Sequence, residues 1–152
     1  MRIEYLIDNA SKVRELAKLH FDEWGYLRPK ETLQGRIDRL RLCCGRNSIP
    51  SVVVALKGEE LLGSAMLLDR DMESRPHLTP WLAGVFVKPL FRGKNIGEAL
   101  IKRIEDEARS LGISVLYLYS LNNEGFYRLL GWETVERCVY LGVPVTVMSK
   151  KL

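Results

Sequence analysis

Between Val85 and Gly97 the chain reads Val-Phe-Val-Lys-Pro-Leu-Phe-Arg-Gly-Lys-Asn-Ile-Gly, and an amphipathic segment follows directly. Val85, Phe86 and Val87 have the β-branched and aromatic character of a strand's end. Pro89 cannot continue a ladder, and Arg92 to Gly97 form a small, positively charged bend. From Ile96 the apolar residues recur as Ala99, Leu100, Ile101, Ile104, Ala108 and Leu111 until Gly112, the spacing of a helix and its stop. Strand, bend and helix in that order gather free backbone N–H groups, the positive end of a helix and the side chains of Arg92 and Lys94 around one small volume. Such a volume suits an anion, although a plain tight turn is the alternative when the bend is taken by itself. It is not an NTPase phosphate loop, because Lys94 is followed by Asn95 rather than Ser or Thr. Nor does the bend have the Gly-x-Gly-x-x-Gly spacing of a dinucleotide turn.

A chain of 152 residues fits one domain able to bury a core without staples. Hydrophobic residues at 47% and charged residues at 28% describe an ordinary globular protein and argue against a disordered tail. The net charge of +4 is spread among acidic residues, without the dense basic stripe and interleaved aromatics of a nucleic-acid binder. No run approaches a membrane span, and Met1-Arg2-Ile3-Glu4 leads straight into a strand-like segment with no export signal, so the expected compartment is the cytoplasm. Cys43, Cys44 and Cys138 show no ligand spacing, which makes them reduced, partly buried thiols at a helix end and leaves no metal site.

The order of elements follows from the patterning. Arg2 to Ile7 alternates as a half-buried strand; Asp8, Asn9 and Ser11 offer caps for a helix carrying Val13, Leu16, Ala17, Leu19, His20 and Trp24 on one stripe, ended by Gly25. Thr32 caps a second helix with Leu33, Ile37, Leu40 and Cys44 on its apolar side and Gly45 as its stop. Val52 to Leu56 is a buried strand, Lys57 to Glu60 a turn, and Leu61 to Leu68 the return of a hairpin. The polar loop Asp69 to Pro80 is long enough to serve as a substrate rim before the strand Trp81 to Val87. After the helix behind the bend come a strand, Ser114 to Ser120, parallel to Trp81–Val87, a short helix from Asn122 to Leu130, and strands Trp132 to Leu141 and Val143 to Ser149.

This order resembles the GCN5-related N-acetyltransferase family, on Val87-x-Pro89-x-x-Arg92-Gly93-Lys94-x-Ile96-Gly97 together with Phe126-Tyr127-x-x-x-Gly131-Trp132. The resemblance covers nearly the whole chain. It implies an α/β (α+β) single-domain fold, residues 1–152, with a mixed and mostly antiparallel sheet of about seven strands, a splayed parallel pair in its middle and about four flanking helices. It also implies acetyl-CoA as acyl donor, its pantetheine arm against Val85, Phe86 and Val87. Its diphosphate would lie on the amides of Arg92, Gly93, Lys94, Asn95, Ile96 and Gly97, with Asn123 in the same cofactor-contacting set. Gly84 is a suitable place for the bulge that would part the strands. Asn95 stands where the family usually has glycine; asparagine tolerates a left-handed backbone and can cap a helix through its side chain.

By the same resemblance Tyr127 is the general acid that protonates the departing thiolate, the alternative being a core aromatic. No Asp, Glu or His lies in Trp81–Val87 or Val115–Ser120 to act as base. Proton removal through water is therefore expected, with Glu23, Asp71 or His77 as terminal acceptor. Glu23, Trp24, Asp71 and Trp81 are the acceptor-site candidates. The acceptor itself is a primary amine of a small molecule or peptide, with no nucleic acid or membrane as partner and a homodimer possible. A second reading is an inactive acyl-CoA-binding regulatory module.

Overall fold

The computed structural model describes residues 1–152, and its architecture is set by one strand that is apolar on both sides. In β2 (Ser51–Lys57), every residue from Ser51 to Leu56 is buried. Alternate side chains leave a strand on opposite faces, so Val52, Val54 and Leu56 join one core while Val53 and Ala55 join another. The first core is closed by α1 (Val13–Trp24) and α2 (Leu33–Leu42), through Val13, Leu16, Ala17, Ile37 and Leu40. The second is closed by α3 (Ile96–Ser110), whose Ile96, Leu100, Ile101, Ile104 and Ala108 lie on one stripe, and by Tyr127 from α4 (Glu124–Leu129).

The remaining strands are β1 (Arg2–Tyr5), β3 (Glu60–Leu68), β4 (Trp81–Val87), β5 (Val115–Ser120), β6 (Glu133–Tyr140) and β7 (Val143–Lys151). They form one seven-stranded sheet in the order β1-β2-β3-β4-β5-β7-β6. All neighbours are antiparallel except β4 and β5. The last hairpin folds back so that β7, not β6, pairs with β5 along its whole length, from Val115↔Lys151 to Ser120↔Thr146. A third, smaller core of Met72, Trp81, Tyr140, Val145 and Val147 lies under the loop between β3 and β4.

Local signals and structure agree at most element ends. Thr32 caps α2 by accepting a hydrogen bond from the Gly35 amide at 3.0 Å, and Cys43 and Cys44 are free, half-buried thiols just past that helix. Three expectations are corrected. Asp8, Asn9 and Ser11 do not cap α1: Leu6–Lys12 coils into 3-10 turns, and the Asn9 amide instead binds the Tyr5 carbonyl and Glu4. The α2 helix ends at Leu42, before Gly45, because the Cys43 amide is shared between the carbonyls of Arg39 and Leu40. The Asn95 side chain makes no cap to α3.

Ile104 is fully enclosed between α3 and the sheet. Ile104→Ala is expected to lower unfolding free energy by about 3 kcal/mol, measured by urea titration, without changing the denaturant slope.

Candidate functional site

β4 and β5 are registered only at Trp81↔Tyr117. Past that point they separate, and the walls of the gap are Ala83 to Val87 on one side and Leu118 to Ser120 on the other. The separation starts at a bulge. Ser64 pairs with Phe86 and Met66 with Ala83, so Ala65 of β3 faces both Gly84 and Val85. Gly84 takes φ +57, and an added Cβ there would stand 2.5 Å from the Met66 Sδ. The backbone angle favours glycine, and any side chain here would also have to displace Met66.

The gap is the middle of a cleft of about 1340 Å³, which exceeds what a single drug-sized molecule needs and leaves room for a donor and an acceptor together. At one end lies the basic bend. Asn95 is left-handed at φ 63, as is Gly93 at φ 76, and the first backbone bond of α3 runs from the Ala99 amide to the Asn95 carbonyl. The amides from Gly93 to Glu98 therefore donate to nothing within the chain and converge on the positive end of α3. Arg92, Gly93, Asn95, Ile96 and Gly97 line this end, as does Asn123 across from them. Arg92 is turned back on the strand, with Nε donating to the Val87 carbonyl at 2.8 Å and its guanidinium 5.8 Å from the Phe86 ring. Lys94 is exposed, stands 5.8 Å from the ring of Phe91 and does not line the cleft.

Tyr127 is held at the cleft wall by the turn into α4. Ser120 Oγ accepts from the Asn123 amide at 2.8 Å, the Tyr127 amide reaches the Asn123 carbonyl, and the Tyr127 carbonyl takes the amides of Leu130 and Trp132. Its ring packs edge-on against Phe126 and Trp132, with centroids at 5.3 and 6.3 Å. The hydroxyl bonds to no protein atom, and burial pushes its pKa up to about 12, so the phenol keeps its proton at neutral pH.

The opposite end of the cleft is lined by Arg28, Arg36, Arg39, Asp71, Glu73 and Tyr119. Its rim, the loop between β3 and β4, is tied down: Arg75 binds Glu136 of β6 at 2.5 Å, the Glu73 amide donates to the Tyr140 hydroxyl, and Arg28 bridges Glu73 at 3.2 Å and Tyr140. Asp71 has no hydrogen-bond partner in the protein. Enclosure raises its pKa to about 7 against the opposing pull of Arg28, Arg39 and Arg36. Glu23 and Trp24 are also on the wall, Glu23 exposed and 3.9 Å from Arg92. Two expected residues are not. Trp81 is fully buried, its indole nitrogen donating to the Leu78 carbonyl at 2.7 Å; it stands where β4 and β5 still pair, before the gap opens. His77 is exposed and off the cleft.

His20 and Ser64 are the residues that sequence reading did not bring to the site. His20 is 2% exposed and Ser64 fully buried, joined by a 2.9 Å hydrogen bond beneath Gly84. Burial lowers the His20 pKa to about 3, keeping the ring neutral. The available signal was a lone small hydroxyl within the apolar run Leu61–Leu68. No group of three metal-ligating side chains is gathered anywhere in the fold, and no helix is long and apolar enough to cross a membrane.

The profile of the Acetyltransferase (GNAT) family matches residues 13–132. The chain belongs to this family. A protein called IAA acetyltransferase from Azospirillum brasilense is 44% identical over 52 residues, which make up 32% of this chain and 34% of that protein. The match thus spans about a third of that relative's length. Among solved structures, an aminoglycoside 6'-N-acetyltransferase complexed with coenzyme A superposes with a TM-score of 0.78 at 18% identity, over 99% of this chain and 97% of the other. The ribosomal-protein-alanine N-acetyltransferase from Brucella melitensis gives 0.75 at 20% identity over all of both chains. At such identities what is shared is the GNAT fold, with the parted strands that the resemblance implied.

Gly84→Ala forces an L-residue into the left-handed region and against Met66. A loss of about 1 kcal/mol from the backbone alone is expected, with Met66 displaced; thermal unfolding and a crystal structure of the variant read both.

Proposed function

We propose that this GNAT domain transfers the acetyl group of acetyl-CoA to a primary amine, by direct attack within a ternary complex. The observation that carries the reading is the placing of the unpaired amides of Gly93–Glu98 and the unbonded Tyr127 hydroxyl on the wall of one continuous cleft. In this reading the amides hold the diphosphate, Val85, Phe86 and Val87 lie along the pantetheine arm, and Asn123 closes the site opposite them. Of Lys94 only the amide takes part, its side chain being turned off the cleft, and the Arg92 side chain shapes the end of β4 more than it meets a phosphate.

The chemistry balances with one acid and one acceptor. The amine nitrogen attacks the thioester carbonyl; a C–N bond forms, the C–S bond breaks, the leaving thiolate takes the Tyr127 proton, and the surplus proton on the new amide nitrogen restores the Tyr127 phenol. The ammonium proton lost before attack passes through water to Asp71, which is half ionised near neutrality because enclosure holds its pKa at about 7. Of the three terminal acceptors considered, His77 is off the cleft, and Glu23 sits exposed at the mouth beside Arg92. The substrate names carried by relatives include aminoglycoside, IAA and ribosomal-protein alanine. The acceptor of this chain is accordingly proposed only as a primary amine of a small molecule or peptide.

Release of free CoA thiol against an amine panel is the direct test. Failure of every amine in the panel to release thiol, while acetyl-CoA still raises the melting temperature, would favour the inactive binding module. Tyr127→Phe is expected to lower kcat at least about 100-fold and leave calorimetric CoA affinity within twofold; unchanged turnover removes Tyr127 from the chemistry.

Asp71 makes two linked pH predictions. Activity should rise with pH through about 7 as the carboxylate ionises, and Asp71→Asn should lose that limb of the kcat/KM profile. The folded pKa lies above the ordinary 3.8, so the stability that Asp71 contributes is complete at low pH and is lost as pH rises through about 7. The Asn variant should therefore melt higher than the wild type at pH 8, with the gain vanishing near pH 4.

A further inference from the structure

The bulge in β4 leaves Gly84 without a partner in the register with either neighbouring strand. Its carbonyl is nevertheless satisfied. Ser64 Oγ donates to the Gly84 oxygen at 2.8 Å, and His20 Nε2 stands 2.9 Å from the same hydroxyl. A serine hydroxyl has one proton and the carbonyl can only accept, so the Ser64 proton lies toward Gly84 and His20 must supply the hydrogen of the second bond. The tautomer follows: His20 is protonated on Nε2, and Nδ1 carries a lone pair with no protein partner.

Two polar side chains buried in an otherwise apolar face are costly unless both are satisfied. Ser64 faces the α1 side of the sheet, as Met66 does, on a strand of Leu, Ala and Met, where an alanine would fit the face without that cost. His20 comes from α1, on the far side of the sheet from α3 and α4, and its ring is gripped by Trp24 at 5.0 Å and Phe86 at 6.1 Å. The hydrogen-bonded line His20–Ser64–Gly84 thus runs from a helix, through β3, to the strand residue at which β4 departs from β5. Phe86 belongs to the same strand edge and Trp24 to the cleft wall, so the line is anchored by groups that also shape the cleft.

We propose that His20 and Ser64 are positioning residues that fix the Gly84 carbonyl, and through it the direction of the Val85–Val87 backbone along the acyl-donor arm. The proposal rests on the acetyl-transfer reading for its consequence, but not for its geometry. His20 also lines the cleft and Ser64 does not, but this role requires neither to act on substrate. Each acts by holding the peptide groups on either side of Gly84 in the one orientation that keeps the gap open.

The experiment is Ser64→Ala, with His20→Leu and His20→Gln, in the full chain. Backbone amide shifts of Ala83 to Val87 in the free protein are read first. Ser64→Ala should move them while β6 and β7 stay in place, and acetyl-CoA affinity by calorimetry should fall about tenfold, the net worth of one hydrogen bond. His20→Leu should do the same, and His20→Gln, whose amide can donate from the position of Nε2, should restore most of the affinity. A side-chain nitrogen spectrum should show His20 in the Nε2–H form. A global loss of packing would lower the folded fraction and scale kcat alone, whereas misdirection of the strand raises the acetyl-CoA KM as well. Unmoved amide shifts with unchanged acetyl-CoA KM in Ser64→Ala overturn the proposal, as does the Nδ1–H tautomer. Should Ser64→Ala not fold, the contrast between His20→Leu and His20→Gln decides it, equal behaviour of the two counting against it. Wild-type protein that binds no acetyl-CoA would refute the functional reading instead, and the shifts alone would then judge the strut.

Discussion

The functional half of this protein depends on a place where backbone pairing is refused. A sheet gains by closing every ladder, and β4 and β5 do so at Trp81↔Tyr117 and then stop. The parting is stable because each strand is fastened on its other side, β4 to β3 and β5 to β7, the second along its whole length. Neither can rotate into the gap without breaking those ladders. The peptide groups facing the gap are left to water or to a ligand with amides of its own. In the proposed reaction a pantetheine arm would be such a ligand, pairing with the parted edges much as a strand would.

The bend at the head of α3 extends the same logic from strand to helix. Helix starts always leave amides unbonded, and here the left-handed bend at Gly93 and Asn95 leaves the preceding ones unbonded as well. The other end of the helix is held firmly. Glu105, 5% exposed, holds Lys150 of β7 at 2.9 Å and the Trp132 indole nitrogen at 3.3 Å. Glu107 takes the Tyr5 hydroxyl at 2.7 Å and Arg103, whose guanidinium also reaches the Ile3 carbonyl. The far half of α3 is thereby locked to β1 and β7, and no acidic side chain from that network competes for the free amides.

How much of this was legible in the sequence depended on the range of the interaction. The strand from Trp81 to Val87, the helix from Ile96 and the Thr32 cap were readable because each is decided by neighbours within a turn or a pleat. The bulge was readable as a single glycine in a strand, and Asn95 as the one non-glycine residue at ease with its angle. Trp81 was misplaced because an aromatic at a strand's start looks alike whether its side chain meets a rim or a core; the face is set by Met72 and Tyr140, distant in sequence. Asn9 was misread because its amide satisfies the end of β1 instead of the start of α1, a choice between two local backbones that composition does not rank. Insertion of β7 beside β5 is long-range pairing with no local signature at all. His20 and Ser64 lie far apart along the chain and meet only once α1 crosses the sheet, so neither shows its partner in sequence.

The cleft is also asymmetric in its protons, and the asymmetry comes from burial more than from charged neighbours. Tyr127 and Asp71 are both pushed toward their neutral forms by enclosure, Tyr127 to about 12 and Asp71 to about 7. The same push has opposite consequences because the starting points differ. A phenol raised further from neutrality is a fixed donor, while a carboxyl raised to neutrality becomes able to exchange its proton. Had Asp71 been paired directly to Arg28, as Glu73 is, it would be a permanent anion and of no use as an acceptor that must later let its proton go. In the proposed transfer, its lack of a partner, which reads in isolation as an imperfection of packing, is what would let Asp71 take up a proton while Tyr127 gives one.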